Sequence, residues 1–361
     1  MDAQERERWQ RIDALFEAAL EQPEADRLAW LEQACPEPGL RAQVLDLLRR
    51  EQQEAGPLEA LAAELSQGLM LERLRGRQLG GWTLLELLGE GGMATVWRAS
   101  REVGGYSREA ALKCLKLGLY SPELRQRFVD EQSILARLQH PHIARLYEAG
   151  IAEDGTPYLA MEQVRGLDLL AHADARRLDT AQRIAVFLKV VDAVAHAHRE
   201  LVVHRDLKPA NILVDEHGEP RLLDFGIARL IEPGSGHVAT TALRPHTPEY
   251  AAPEQLRGEP VGVRADVYAL GLLLHELLCG ERAPADPQQR EQGGPSTRLR
   301  RSARREAIAE MRRRSAPRLL RELRGDLDLI VQRCLRVEPG QRYPSAEALA
   351  EDLRRWQQQR P

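Results

Sequence analysis

Asp206, Lys208 and Asn211 stand close together in the stretch VVHRDLKPANILVDEHG, residues 202–218, and a further carboxylate, Asp224, follows in DFG. The chain has only four lysines, Lys113, Lys116, Lys189 and Lys208, among its 51 Lys+Arg residues, so a lysine at 208 departs from its habit of writing positive charge as arginine. Phosphoryl transfer from ATP needs such parts. A carboxylate orients the attacking hydroxyl and accepts its proton, oxygen ligands hold a hard divalent cation, and a compact ammonium follows the charge of the moving γ-phosphoryl group. Arginine offers a wider, fork-shaped and more weakly hydrated cation, which is not equivalent at a crowded site.

A glycine-rich turn precedes them. LGEGGMATV places Gly89, Gly91 and Gly92 between two strand-like runs, where the lack of a Cβ lets backbone amides approach phosphate oxygens. A hairpin turn also favours glycine, so the turn alone is weak evidence. A dinucleotide site is disfavoured, because that motif needs a helix where a strand follows here. Lys113 lies on a later strand, AALKCLK, and alternation puts Ala111 on its face, which leaves room for a flat purine. A buried lysine needs a partner, and Glu131 in RFVDEQSILARLQHP offers a carboxylate from a helix.

The elements that position these residues change character along the chain. Residues 1–75 read as short helices separated at Pro23 and CPEPG, carry an excess of Asp and Glu, and suit packing or partner docking. WTLLELLG, ATVWRAS and EAALKCLKL then read as strands, a helix is expected at about 122–138, and ARLYEAG and PYLAMEQ read as two more strands. From about residue 167 helices dominate. Strands first and helices later predict an α+β arrangement of two lobes. The apolar run VYALGLLLHELLCG, 267–280, is interrupted by His275 and Glu276 and reads as a buried core helix.

Composition narrows the function classes. A net charge of −4 gives no reason to expect nucleic acid or an acidic membrane as partner. Cys35, Cys114, Cys279 and Cys334 stand far apart, which disfavours a zinc site or a disulfide scaffold and predicts reduced, buried thiols. With no apolar signal region in the sequence, a cytoplasmic location is expected. Between Arg298 and Arg324 eleven arginines face three glutamates, a pattern of either a solvated helical face or a docking surface for an acidic partner.

Taken in order, the glycine loop, strand lysine, helix glutamate, HRDLKPAN, DFG and AAPE resemble the eukaryotic-like (Hanks-type) serine/threonine protein kinases of bacteria. The resemblance covers a core of about 82–355 within a domain of 76–361, preceded by the helical module 1–75. It implies a bilobal fold, with a small antiparallel β lobe carrying one helix and a large, mainly helical lobe. It further implies that Leu88, Gly89, Gly91, Gly92, Val96 and Ala111 surround ATP, and that Lys113 binds its α/β-phosphates and pairs with Glu131. Met161 is implied as gatekeeper, with Glu162 and Val164 offering backbone groups to adenine. Asp206 would be the catalytic base, Lys208 would contact the γ-phosphate, and Asn211 and Asp224 would hold Mg²⁺, with Mn²⁺ as a substitute. Glu254 would pair with Arg342, and Asp266 would brace the catalytic loop from below. Protein substrates with Ser/Thr hydroxyls are implied, with self-association for autophosphorylation in trans. Arg205, beside the base, points to control by loop phosphorylation, with Thr240 and Thr241 as phosphosites and Thr247 facing substrate.

Two positions depart from the pattern. Ala94 stands where the loop's third glycine is usual, and His246 where a glycine usually precedes Thr247. Neither removes a charged group. The alternatives are a pseudokinase scaffold, which tends to lose the lysine, the base or a metal ligand, and a small-molecule phosphotransferase of the aminoglycoside type, expected to lack APE and its arginine. The N-terminal helices and the ending GDLDLIVQRCLRVEPGQRYPSAEALAEDLRRW resemble a kinase subgroup that often continues into tetratricopeptide repeats; a short member and a part of a longer chain both remain open.

Overall fold

Along WTLLELLGE the side chains of Trp82 and Leu84 turn inward while their neighbours stay partly open, the period-two pattern of a strand with one buried face. The structure, a computed structural model, describes residues 74–91, 94–115, 137–225 and 249–358, with single positions at 15, 30, 31, 34, 35, 37, 41 and 135. The chain divides into two compact units, Met1–Leu74 and Arg75–Pro361. Most of the helical module expected at 1–75 falls outside the described residues, as does most of the small-lobe helix expected at about 122–138. In the first unit Leu31 and Cys35 are buried, and the Cys35 amide donates to the Leu31 carbonyl at 3.0 Å.

The second unit begins with a sheet lobe. Strands β1 (Gln78–Leu79), β2 (Trp82–Glu90), β3 (Ala94–Val103), β4 (Tyr106–Leu115), β5 (Leu146–Ile151) and β6 (Pro157–Met161) form one sheet in the order β1-β2-β3-β4-β6-β5. Every pairing is antiparallel. Two hairpins turn on Gly80-Gly81 and Gly104-Gly105, all four with positive φ, as two-residue turns of this hand require. Register shifts between Leu84 and Glu86 and between Leu87 and Gly89 bend β2 as it approaches the glycine turn.

A helical lobe follows. Helices α1 (Leu169–Ala175), α2 (Thr180–Arg199), α3 (Pro253–Arg257) and α4 (Val263–Cys279) carry most of its inner surface. The α2 start is fixed by a capping box, in which Asp179 accepts from the Gln182 amide and Gln182 accepts from the Asp179 amide, both at 3.0 Å. Helix α4 is buried around nearly its whole circumference, including Leu270, Leu273 and Leu274, and ends at Gly280 in the left-handed conformation. It is the axis about which the lobe packs. Helices α5 (Pro287–Gln292), α6 (Pro295–Arg301), α7 (Arg305–Met311), α8 (Ala316–Leu323), α9 (Asp326–Cys334) and α10 (Ala346–Gln358) complete it. A small antiparallel sheet, β7 (Leu167–Asp168), β8 (Ile212–Val214) and β9 (Pro220–Leu222), lies within this mainly helical part. Runs of two and three residues are too short to show alternation, so the sequence did not separate them.

No described helix is long and apolar enough to cross a membrane. All four cysteines are buried free thiols, and burial pushes Cys114 and Cys279 up to about 12. Most arginines of 298–324 are exposed, as a solvated face requires, but Arg312 is 1% exposed. Its guanidinium donates to the carbonyls of Leu277, Leu278 and Ile308 at 2.6–3.1 Å.

Candidate active site

The loop between α2 and β8 is held by a network of polar contacts. Its centre is Asp266 in the first turn of α4, a side chain only 1% exposed. Asp266 Oδ2 accepts from the His204 amide and from His198 Nε2, each at 2.8 Å, and Oδ1 accepts from the Arg205 amide at 2.9 Å. Burial alone would raise the pKa of this carboxyl, but the bonds and charge of His198 and His204 outweigh it and hold it below the usual range. Arg205 has a left-handed backbone, φ 69°, rare for a residue with a Cβ. It is clamped from both sides, since the buried Gln255 on α3 donates from Nε2 to the Arg205 carbonyl at 2.8 Å. Such over-determination is what lets a strained conformation persist. The bracing by Asp266 matches the sequence expectation. His198 and Gln255, which complete the brace, were missed, because they lie on other helices and belong to no short motif.

The loop delivers its side chains to one place. Asp206 Oδ2 accepts from Lys208 Nζ at 2.7 Å and from Asn211 Nδ2 at 3.1 Å, while the Asp206 carbonyl accepts from the same amide nitrogen at 2.8 Å. Pro209–Asn211 forms one 3₁₀ turn, and its tight pitch returns Asn211 beneath Asp206. With Nδ2 committed to Asp206, Oδ1 is the remaining polar atom of the Asn211 side chain. His204 links this loop to the next: its Nε2 donates to the Leu223 carbonyl at 2.8 Å, and its ring lies 4.7 Å from the Phe225 ring. The neighbouring Asp224 is also left-handed, φ 61°.

Asp224 reaches the sheet lobe. Its Oδ2 lies 2.9 Å from Lys113 Nζ on β4, with the side chains 14% and 25% exposed. The predicted partner of Lys113, Glu131, lies outside the described residues; the carboxylate seen against Lys113 is Asp224. Ala111 pairs with Met161 across the β4–β6 ladder, and both are buried in one cluster with Ala94, Leu115 and Leu159, against which Val96 packs half-buried. The Glu162 amide is already committed, donating to the Arg145 carbonyl at 2.8 Å. Leu88 is 46% exposed at the end of β2, and Val164 is half-buried.

The glycine turn gives a test of whether a phosphate chain fits. Neither Gly89 nor Gly91 has a positive φ, and among the described residues a Cβ added to either would meet nothing closer than 3.8 Å. Among the described residues nothing sterically requires glycine at either position, which is compatible with close approach by a ligand. The Asn211 carboxamide and the Asp224 carboxylate could offer a cation hard oxygens, of the kind suited to a small divalent ion that keeps water and phosphate ligands. Among the described residues no group of three or more His, Cys, Asp or Glu is placed to hold a metal ion. Gly92, Thr240, Thr241, His246 and Thr247 lie outside the described residues. Ala94 opens β3, and its methyl is buried in the cluster with Met161 and Leu159.

At the base of the helical lobe Glu254 and Arg342 form the pair expected from the sequence, Nη1–Oε1 2.7 Å and Nη2–Oε2 2.8 Å.

Residues 82–353 match the protein kinase domain family, and the chain belongs to that family. Within it the chain is similar to bacterial serine/threonine-protein kinases. It is 38% identical over 289 residues to serine/threonine-protein kinase PkaA of Streptomyces coelicolor, covering 76% of this chain and 49% of PkaA. It is 33% identical over 278 residues to serine/threonine-protein kinase PknB of Mycolicibacterium smegmatis, covering 75% of this chain and 42% of that protein. A probable kinase PknB of Corynebacterium glutamicum is 32% identical over 280 residues, 74% of this chain and 41% of that one. The chain thus spans between two-fifths and half the length of these relatives. The family implies ATP, a divalent metal and protein substrates.

Proposed function

We propose that the chain is a serine/threonine protein kinase that transfers the γ-phosphoryl group of Mg²⁺-bound ATP to Ser and Thr hydroxyls of proteins, its own activation loop included. The observation that carries this reading is the Lys113–Asp224 pair at 2.9 Å, Asp224 standing next in sequence to Leu223, whose amide donates to the Asn211 carbonyl at 2.8 Å, with the Asp206–Lys208–Asn211 cluster held on the Asp266 brace. A scaffold that only bound nucleotide would be expected to lose the lysine, the base or a metal-holding side chain, and this chain keeps all three.

When bound, the cation supplies charge neutralisation at the phosphate oxygens. Asn211 Oδ1 and the Asp224 carboxylate would hold it. Lys113 would donate to the α/β-phosphates, with Asp224 beside it to keep the ammonium in place. Asp206 orients the substrate hydroxyl and receives its proton, and Lys208, already on Asp206 Oδ2, is poised to meet charge developing on the transferred group. Met161 would close the back of the adenine site. With its amide committed to Arg145, Glu162 has its carbonyl to offer the base, and Val164 follows on the same segment. In this reading residues 1–75 would be a module apart from the kinase domain, which would run from residue 76. Phosphate on Thr240 or Thr241 would form charge-assisted bonds with Arg205 and order the loop. Two copies would meet transiently for this step, in the cytoplasm, where buried unpaired thiols persist.

The direct test is incubation of the purified chain with labelled ATP, Mg²⁺ and a generic basic protein, followed by phosphosite mapping. Label on Ser/Thr that disappears in Asp206→Asn is expected. No label under Mg²⁺ or Mn²⁺ would sink the reading.

A further inference from the structure

Away from the cleft, on the helical lobe, an open cavity of about 560 Å³ is lined by Arg177, Arg313, Arg314 and Arg318 with Ser315 and a single carboxylate, Glu310. Two of these arginines share an unusual backbone. Arg177 follows the C-cap of α1 and Arg313 follows the C-cap of α7, and both are left-handed, φ 49° and 55°. Both helices end in the same double bond pattern. Arg177 N donates to Asp174 O at 2.9 Å and Leu178 N to Ala173 O at 2.9 Å; Arg313 N donates to Glu310 O at 2.9 Å and Arg314 N to Ala309 O at 3.0 Å. Glycine is the default residue at that position because it carries no Cβ penalty. Arginine occupies it twice, on two helices that face one cavity.

The two turns also reach for each other. Arg177 Nη2 donates to the Glu310 carbonyl and to Glu310 Oε1, both at 3.2 Å, and Arg313 Nη2 donates to the Arg176 carbonyl at 3.4 Å. Arg314 is balanced by Glu322 at 3.2 Å and Asp179 at 3.4 Å. These contacts engage all three guanidinium nitrogens of Arg314, but Arg177 and Arg313 each use only Nη2 of a group that has five N–H donors. Among the described residues, Arg313 and Arg318 have no carboxylate within ion-pair distance. Attraction to the helix C-termini accounts for a positive charge at each turn. It does not account for Arg318, which lies on α8, nor for convergence on one cavity with a single acid.

We propose that this cavity is a recognition site for a phosphorylated serine or threonine side chain on a protein segment. A phosphate carries about −1.5 to −2 charge and three strong acceptor oxygens, which match a pair of underused guanidiniums better than one carboxylate does. Paired arginines are the usual means of recognising phosphorylated motifs. The site is separate from the cleft and fits the product of the proposed reaction, so it would hold an already phosphorylated chain on the enzyme. The inference rests on the kinase reading only for the source of its ligand.

The test needs no turnover. A fluorescent phosphothreonine peptide is titrated into the full chain without ATP, and its anisotropy is compared with that of the unphosphorylated and Glu-substituted peptides. The phosphopeptide is expected to bind at least tenfold more tightly than either, with inorganic phosphate competing. Arg318→Gln and Arg313→Gly should each weaken binding at least tenfold. Arg313→Gly suits the left-handed backbone better, so its thermal midpoint should hold or rise and misfolding cannot explain the loss. Arg300→Gln with Arg301→Gln, exposed on α6 and outside the cavity lining, should bind as wild type. Equal binding of all three peptides, wild-type affinity in Arg313→Gly and Arg318→Gln, or an equal loss in the α6 variant would overturn the assignment. A chain that labels protein but fails here loses only this inference; one that binds but never labels loses only the kinase reading.

Discussion

Arg342 and Glu254 lie 88 residues apart in sequence and meet as a two-point pair with side chains 0% and 5% exposed. The other donors of Arg342 are also used, Nε on Arg336 O at 2.8 Å, Nη1 on Arg264 O at 2.9 Å and Nη2 on Val337 O at 3.0 Å. All five N–H groups therefore have acceptors. Removing the arginine would strand a buried carboxylate and three carbonyls. Arg342→Ala is expected to cost about 3–5 kcal/mol of stability in denaturant unfolding. Arg342→Lys should recover only part of that, because an ammonium cannot span both carboxylate oxygens and the carbonyls together. Full recovery by lysine would show that charge alone suffices.

Asp206→Asn should separate chemistry from folding. The side chain is partly open and accepts from Lys208 and Asn211, so an amide can keep the shape of the loop while losing basicity. The phosphoryl-transfer rate is expected to fall by about 10²–10⁴ with little change in thermal midpoint. Lys208→Arg probes the neighbouring ammonium. Turnover should drop, because a planar fork does not fit where Nζ now sits 2.7 Å from Asp206.

His275 sets a pH limit. It is buried in α4, with Cys279 Sγ 3.5 Å from its Nδ1, and burial lowers its pKa from 6.5 to about 4, with Arg298 and Arg290 adding to the shift against a bond to the Glu281 backbone. Above pH 6.5 the ring is neutral in both folded and unfolded chains and contributes no pH dependence. As pH falls from 6.5 towards 4, the unfolded chain takes up a proton that the folded chain refuses, so stability declines. The full loss is about 3 kcal/mol. His140, His142 and His172 are lowered mainly by burial as well, so the whole protein should show a steeper slope than one proton. Unfolding free energies for wild type and His275→Gln should differ in slope by up to about 1.4 kcal/mol per pH unit midway between pH 6.5 and pH 4 and converge in slope near pH 7 and above.

Ala94→Gly restores the glycine common in this loop, yet it should not help. The Ala94 methyl is buried beside Leu159 and Met161, and the residue opens β3. Losing it removes apolar burial and adds chain entropy, at a cost of about 1 kcal/mol. The Michaelis constant for ATP should change less than twofold.

The charged residues of the cleft were legible because the motifs that carry them occur in the order of the protein kinase family, whose chemistry accounts for their types. HRDLKPAN, DFG and APE with its distant arginine could be placed before any fold was known. The supports were not. Gln255 holds the Arg205 carbonyl and His198 holds Asp266, but each acts through one bond to a residue remote in sequence. The arginine-rich stretch was legible as charge and not as architecture. Composition does not distinguish Arg312, sealed against helix carbonyls, from Arg313 one position later, which opens onto a cavity. That difference arises because the chain turns left-handed at Arg313, and nothing in a run of three arginines announces the turn. Strands β7 to β9 escaped notice for the same kind of reason, being defined by partners and not by their own pattern.

Reagents that seek sulfur attack the ionised form, and the four native cysteines are all enclosed. The native protein should therefore stay dark to maleimide dyes near neutral pH. A cysteine installed at exposed Ser315 would be the sole position to take a fluorophore, stationed at the rim of the arginine-lined cavity without first stripping the chain of its own sulfur.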